Sequence, residues 1–293
     1  MTGEGAIIRI AQLGAGRMGS VHARNAAANP RLDLAWIVDP RAEMAAALGK
    51  ETGATPAPLA AVLADPAVKG VIVASSTDAH LDDTRACLAA ADVDEKVGLT
   101  QHYADAFRRG ELEAPDDAPA PDPIRMPGRP AKPALVHPRD LPRRGLGSVQ
   151  GRAAFVHAIA HIELNAIDLA WDAVYRFRGL PAAFYADWVQ VAHDESRHFV
   201  LLRNRLREFG HDYGDFDAHN GLWEMTEKTA HDGLARMALV PRVLEARGLD
   251  VTPGMIVKLR ELGDEATVAI LDLILQEEVA HVAAGSRWFR WYC

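Results

Sequence analysis

The sequence predicts a mostly α-helical protein: a four-helix bundle over residues 148–293, preceded by a partial βαβαβ unit over 1–84 and a helical and Pro-rich arm over 85–147. Three observations carry that reading. Short β-rich runs alternate with Ala-rich helical ones near the N-terminus, nine of the seventeen prolines fall between Pro115 and Pro142, and after Ser148 apolar residues recur in steps of three and four.

The first part reads as IIRIAQL, a helix to about Ala28, LDLAWIVD, a second helix and KGVIVAS. In the middle part, proline lacks the amide donor and clashes with the preceding turn, so the run APDDAPAPDPIRMPGRPAKPALVHPRDLP is read as an extended linker or wrapping strap. The last part opens on Ser148 as N-cap and breaks at Gly179-Leu180-Pro181, at Gly210 to Asp217 and at Gly248 to Pro253, with Thr252-Pro253 as N-cap and first helical residue. Four long helices and a short one are expected.

Composition narrows the classes. A 49% hydrophobic chain of 293 residues can bury one large or two modest cores, and a net charge of -8 argues against bulk affinity for nucleic acid. Two cysteines, Cys87 and Cys293, leave no disulfide framework or Cys-based zinc site. The N-terminus has no basic, apolar leader pattern and no run is read as reaching transmembrane length, so the expected location is cytoplasmic, with no membrane partner.

Two Glu-x-x-His motifs, Glu195 to His198 and Glu278 to His281, lie on apolar helical stripes. Phe184, Trp188 and Val191 lead into Glu195 and His198, and Leu202 and Leu206 follow; Leu271 and Ile274 lead into Glu278, His281 and Gly285. Glu163 sits likewise among Val156, Ile159, Ile167 and Ala170, and Glu245 follows Leu234, Ala238 and Pro241. All four carboxylates are expected to point inward. Unpaired buried carboxylates repel one another into protonation, whereas two divalent cations balance four of them and two neutral imidazoles add nitrogen donors. Glu163, Glu195, His198, Glu245, Glu278 and His281 are therefore the candidate ligands of a two-metal site. The competing reading, buried salt bridges to Arg197 and its like, is the less economical for a doubled motif. His161 and His193 sit two residues from a glutamate, about 200° around a helix, so they, with His157 and His231, are assigned core or supporting roles. Trp171, Trp188 and Trp223 are read as core.

Near the N-terminus, Gly14-Ala15-Gly16-Arg17-Met18-Gly19 follows a strand and opens a helix, and Asp39 ends the next strand. Gly14, Gly16 and Gly19 suit a tight turn, close approach to a pyrophosphate and helix-on-strand packing, while Asp39 suits ribose hydroxyls. Arg41 leaves room for a phosphorylated ribose. Because the second βαβ half is missing, NAD(P) binding is expected to be weak and uncoupled from the metal chemistry.

LGAGRMGSVHARN, IVDP and VIVASSTDAH resemble the amino-terminal half-Rossmann of the glucose-fructose oxidoreductase and inositol dehydrogenase family over residues 7 to about 84. Ser75 and Thr77 through His80 match that family's Ser-Pro-Thr-x-x-His loop, with Ser76 for the proline, and Glu95-Lys96 is followed by Val97 where the family has proline. From about residue 85, EKVGLTQ, HAIAHIELNAIDLAWDAVYRF, HDESRHF and EEVAHVAAGSRWFRW resemble a bacterial ferritin-like family of unassigned function, distantly similar to a diiron hydroxylase of modified tRNA adenosine. That resemblance implies the same six metal ligands and a ferritin-like diiron bundle. It also likens Asp194-Glu195-Ser196-Arg197-His198 to a diiron monooxygenase motif whose aspartate orients a histidine, with Glu277 in the equivalent place before Glu278. The family runs on past Trp288-Phe289-Arg290-Trp291-Tyr292-Cys293, so the C-terminal end is read as truncated, with an apolar patch exposed.

The leading function is oxidoreduction of an unknown small molecule by O2 or peroxide at two iron ions, with manganese accepted by the same ligands. A sugar dehydrogenase that uses NAD(P), with only Lys96 and His80 as candidate groups, is the first rival, and an iron-binding or scaffold protein the second. The basic arm, with Arg125, Arg129, Lys132, Arg139, Arg143 and Arg144, is read as a strap pairing with an acidic bundle surface rather than as a contact for tRNA. Oligomeric state is left open.

Overall fold

The computed structural model describes residues 7–39, 41–74, 84–110, 112, 122, 124–142 and 145–293. The chain divides into two compact units, Met1–Asp82 with Arg108–Pro115, and Asp83–Phe107 with Asp116–Cys293.

The N-terminal unit is a parallel sheet in the order β3-β2-β1-β4, made of β1 (Ile8–Leu13), β2 (Leu32–Val38), β3 (Thr55–Pro56) and β4 (Gly70–Val73). Helices α1 (Arg17–Ala28), α2 (Ala42–Thr52) and α3 (Leu59–Leu63) link the strands. Ile10, Leu34 and Ile37 from the strands bury against Ala23, Ala45 and Leu48 from the helices. The expected strands are present; the two-residue β3, too short to show a period, was not among them. α2 ends where Gly53 takes a left-handed φ of 81° that a side chain would strain.

The second unit is helical. Its main elements are α4 (Val93–Arg108), α5 (Val149–Arg176), α6 (Ala182–Glu208), the short α7 (Gly221–Lys228), α8 (Gly233–Leu239), a π-helical turn (Val240–Glu245), α9 (Ala246–Glu261) and α10 (Glu265–Tyr292). Ser148 caps α5 as expected, its hydroxyl accepting from Gly151 N at 3.0 Å. Asp232 and Asp264 cap α8 and α10 in the same way. α6 and α10 run antiparallel, as Asp187 meets Trp288, Asp194 meets His281 and His198 meets Glu277.

One expected boundary is wrong. The chain does not break at Gly248 to Pro253; α9 carries Pro253 inside it. Pro253 costs the helix one backbone donor, but Ile256 and Leu259 one and two turns later are buried against Val268 and Leu271, and that packing holds the helix through the proline. α5 is long and apolar enough by composition to cross a membrane, contrary to the expectation that no run is; most of its apolar window is buried inside the unit.

The Pro-rich arm lies on the helical unit as a strap held mainly through backbone. Gly128 N donates to Leu88 O, Val136 N to Ala218 O and Ala218 N to Ala134 O, and Arg125 O accepts from Trp223 Nε1. A Cβ on Gly128 would meet the Ala89 carbonyl oxygen at 2.0 Å, so only glycine permits this approach. Arg129 donates to the neutral Asn165 Oδ1 at 2.7 Å rather than to an acid. Arg143 and Arg144 lie outside the described residues.

Two buried ion pairs tie the surrounding segments to α5. Arg236 of α8 donates to Asp172 Oδ2 at 2.6 Å. Lys96 of α4, 1% exposed, donates to Asp168 Oδ1 at 2.5 Å and to Cys87 O at 2.9 Å. Burial pushes the Asp168 carboxyl up, and Lys96 opposes this. Removing one partner of such a pair strands the other in the core. Lys96→Ala should therefore cost about 3–5 kcal/mol in chemical denaturation, and the paired change Lys96→Met with Asp168→Leu should restore most of it.

Candidate metal centre

The predicted donors come from four segments of the helical unit: Glu163 from α5, Glu195 and His198 from α6, Glu245 from the end of the π-helical turn, and Glu278 and His281 from α10. Donor atoms of Glu163, Glu195, His198 and Glu278 all lie within 4.8 Å of one another. His198 Nδ1 is 3.1 Å from Glu163 Oε2 and 3.3 Å from Glu195 Oε2. His281 Nδ1 is 3.1 Å from Glu195 Oε1 and 3.4 Å from Glu278 Oε1, without hydrogen-bond angles. Glu245 Oε2 is buried and has no hydrogen-bond partner among the described residues.

The outer nitrogens of the two histidines are exchanged between motifs. His198 Nε2 pairs with Glu277 Oε2 at 2.8 Å, and His281 Nε2 faces Asp194 Oδ2 at 3.4 Å. Each imidazole thus meets the acid that precedes the other motif's glutamate. Arg197, partly exposed, joins the two acids, donating to Asp194 Oδ1 at 3.1 Å and to Glu277 at 3.3 Å. An acid on the outer nitrogen fixes the ring and leaves Nδ1 aimed inward, the arrangement that supports metal-binding histidines. The sequence motif pointed to Asp194 and Glu277; the exchange and the bridging role of Arg197 needed the antiparallel register of α6 and α10.

The electrostatics follow from burial and crowding. Burial and the neighbouring Glu195 push the Glu163 carboxyl up to about 8, and burial with Glu278 and Glu195 pushes Glu245 up to about 8. Glu195 itself is lowered: burial and Glu278 oppose ionisation, but its hydrogen bonds outweigh them. Burial disfavours the charged form of His198, yet its bonds to Glu163 and Glu195 raise it to about 11. His281 is raised further, against burial, by Asp194 and Glu195. Such a cluster holds protons where cations would otherwise sit. The donor set of four carboxylates and two imidazoles, one carboxylate oxygen having no partner, fits two divalent ions.

The carboxylates form one end of an apolar cavity of about 360 Å³ between α5, α6, α9 and α10. Ile159, Met255, Leu271 and Ile274 are among its walls, and sequence reasoning did not anticipate it. His157, His161 and His193 lie outside the donor set in supporting positions, whereas His231, expected in a core or supporting role, is exposed. His161 binds Tyr213 Oη at 2.8 Å and His219 O at 3.0 Å, His157 Nε2 accepts from Gly214 N, and His193 lies beside Asp194. Trp171, Trp188 and Trp223 are core.

In the N-terminal unit, Gly14 has φ 92°, and a Cβ on Gly19 would meet the Gly14 carbonyl oxygen at 2.2 Å. Gly16 is different: among the described residues nothing lies within 4 Å of a Cβ placed there, leaving space at the α1 N-terminus. Asp39 accepts from Ala15 N at 2.7 Å and Arg41 N at 2.9 Å, so its carboxylate braces the loop and is held below the usual range despite burial. These glycines fit a dinucleotide pyrophosphate. Of the candidate dehydrogenase groups, Lys96 is committed to Asp168, and Ser75 and Thr77 through His80 lie outside the described residues.

The chain combines a helical unit bearing a carboxylate and histidine cluster with an oxidoreductase-type Rossmann unit. It belongs to the family described as protein of unknown function (DUF455), which matches residues 89–293. A second family, described as oxidoreductase family, NAD-binding Rossmann fold, matches residues 8–92. An uncharacterized protein of Haemophilus influenzae is 52% identical over 167 residues, 55% of this chain, and the chain spans 58% of that relative's length. A myo-inositol dehydrogenase structure from Corynebacterium glutamicum is 33% identical, with 36% of this chain and 35% of that one covered and a TM-score of 0.25. A putative myo-inositol dehydrogenase from Sinorhizobium meliloti 1021 is 26% identical over 34% of this chain and 25% of its own, also at 0.25.

The raised groups set a pH dependence. A group whose folded pKa is raised contributes stability that is complete below its unfolded value and is lost as pH climbs through the folded one. For Glu163 and Glu245 that window runs from the ordinary 4.5 to about 8, and His198 extends it from 6.5 towards 11. Metal-free protein should therefore melt at progressively lower temperature from pH 5 to pH 8, while added divalent metal should widen the difference in Tm over the same range. Glu245→Gln should flatten the metal-free slope in the same melting series.

Proposed function

We propose that the helical unit is a ferritin-like diiron oxidoreductase acting on a small organic substrate bound in the apolar cavity. The observation that carries this is the convergence of Glu163, Glu195, His198 and Glu278, with His281 and Glu245 beside them, at the inner end of that cavity. Iron held by these six residues supplies oxidation by O2 or peroxide, and manganese suits the same donors. The protein's own part is to position and exclude. Asp194 and Glu277 hold the imidazoles with Nδ1 inward, Arg197 keeps those two acids together, and the apolar walls keep water from the reacting end. A cavity of this size beside the donors favours an enzyme over an iron store or scaffold.

A second reading concerns the N-terminal unit. The open space at Gly16 and the constraints on Gly14 and Gly19 support dinucleotide binding, independent of the metal chemistry.

Protein purified without added metal should carry up to two iron or manganese ions per chain by elemental analysis. Glu195→Ala and His281→Ala should each bring the content down to at most one ion. Full metal occupancy in both variants would exclude this site. For the N-terminal unit, calorimetric titration of NADH should show binding that Gly16→Val abolishes without lowering Tm, because no described atom lies within 4 Å of the added Cβ. NADH-driven reduction of the metal centre would show instead that the two units work as one.

A further inference from the structure

The cavity's shape and lining say more about what it admits. Phe155 and Ala166 both line it and lie eleven residues apart on α5, so the lining runs ~16 Å along the helix at ~1.5 Å per residue. A volume of about 360 Å³ along that length suits an elongated ligand of modest size. Away from the carboxylates, the lining residues Leu271, Phe155 and Leu275 join or pack against the buried cluster of Ile256, Leu259 and Val268.

The side between α5 and α9 is open. Ile162 and Val251 on its lips are 47% and 39% exposed. At this rim stands Arg247, exposed and the only cation among the described residues lining the cavity, with Thr252 one turn further along α9. Apart from the four glutamates at the inner end, Arg247 and Thr252 are the only polar side chains among the described residues of the lining. The lining is thus apolar along its length, with carboxyl groups at its inner end and a cation at its lip.

Resting on the reading of the inner glutamates as metal donors, we propose that this cavity binds a small amphipathic acid, with its hydrocarbon body between α5 and α9 and its anionic head on Arg247. Charge sets the orientation. The four glutamates at the inner end offer an anion no unmatched cation, while Arg247 attracts it at the rim. A hydrocarbon body gains from every methylene taken from water into the apolar lining. A neutral hydrocarbon would fill the walls but leave Arg247 unused, and a dianion or sugar would have its polar groups stranded against Ile159, Met255 and Ile274.

The test is calorimetric titration of the full chain, as purified and after metal removal, with saturated monocarboxylates of increasing length and with the matched primary alcohols. Affinity for the carboxylates should rise about fourfold per methylene until the cavity is filled and then level off. The alcohols should bind about tenfold more weakly, and Arg247→Gln, a surface change, should bring the carboxylates down to the level of the alcohols. Ala158→Trp, at an exposed lining position, should abolish binding of both series with Tm and metal content unchanged. Absence of saturable binding, alcohols equal to carboxylates in the native chain, or no effect of either variant would each overturn the proposal. Acid binding by a chain that takes up no metal would support the ligand class and sink the metal reading; metal uptake with no acid binding would do the reverse.

Discussion

Four carboxylates inside one helical core are the constraint that organises the second unit. Each would be expelled to the surface or protonated if it stood alone, and the fold answers in layers. The imidazoles of His198 and His281 lie between the inner acids, Asp194 and Glu277 brace those imidazoles from outside, and Arg197 closes the outer layer at the surface. Charge alternates outward from the centre. The lengths and register of α6 and α10 serve that alternation, since a shift of one residue would separate both outer pairs.

The placement of Glu245 shows how backbone irregularity enters the site. Pro241 cannot donate, and the turn around it widens into a π-helix that ends on Glu245. This turn lies close against α10: a Cβ on Gly285 would meet Pro241 Cβ at 2.3 Å, and one on Gly233 would meet the Tyr292 hydroxyl at 2.2 Å. Two glycines therefore let the π-turn and α8 approach α10 closely enough for Glu245 to reach the same cavity end as Glu278.

The inner acids and the glycine loop were legible in sequence because each breaks a local rule. A glutamate on an apolar stripe contradicts the stripe, and Gly14 and Gly19 mark a turn that a side chain at either would disrupt. What was not legible depends on pairing between distant segments. Pro253 reads as a helix start, yet Ile256 and Leu259 find partners on α10. The π-turn hides in a stripe that continues at α-helical spacing through Leu234, Ala238, Pro241 and Glu245. The arm's positive charges suggested ion pairing, whereas its grip comes from main-chain bonds and the missing side chain of Gly128. Lys96, which by resemblance suggested catalysis, is a core staple of α5.

The crossing of outer acids between α6 and α10 gives the centre an all-or-none character. Glu195 and His198 share a helix, but the acid that steadies His198 arrives from α10, and the one that steadies His281 arrives from α6. Neither helix carries a finished half. A nascent chain that has made α5 and α6 holds two inner acids and an unsteadied ring, and must wait for its last helix before either half is complete. The centre is an interlock, and it exists only in the finished fold.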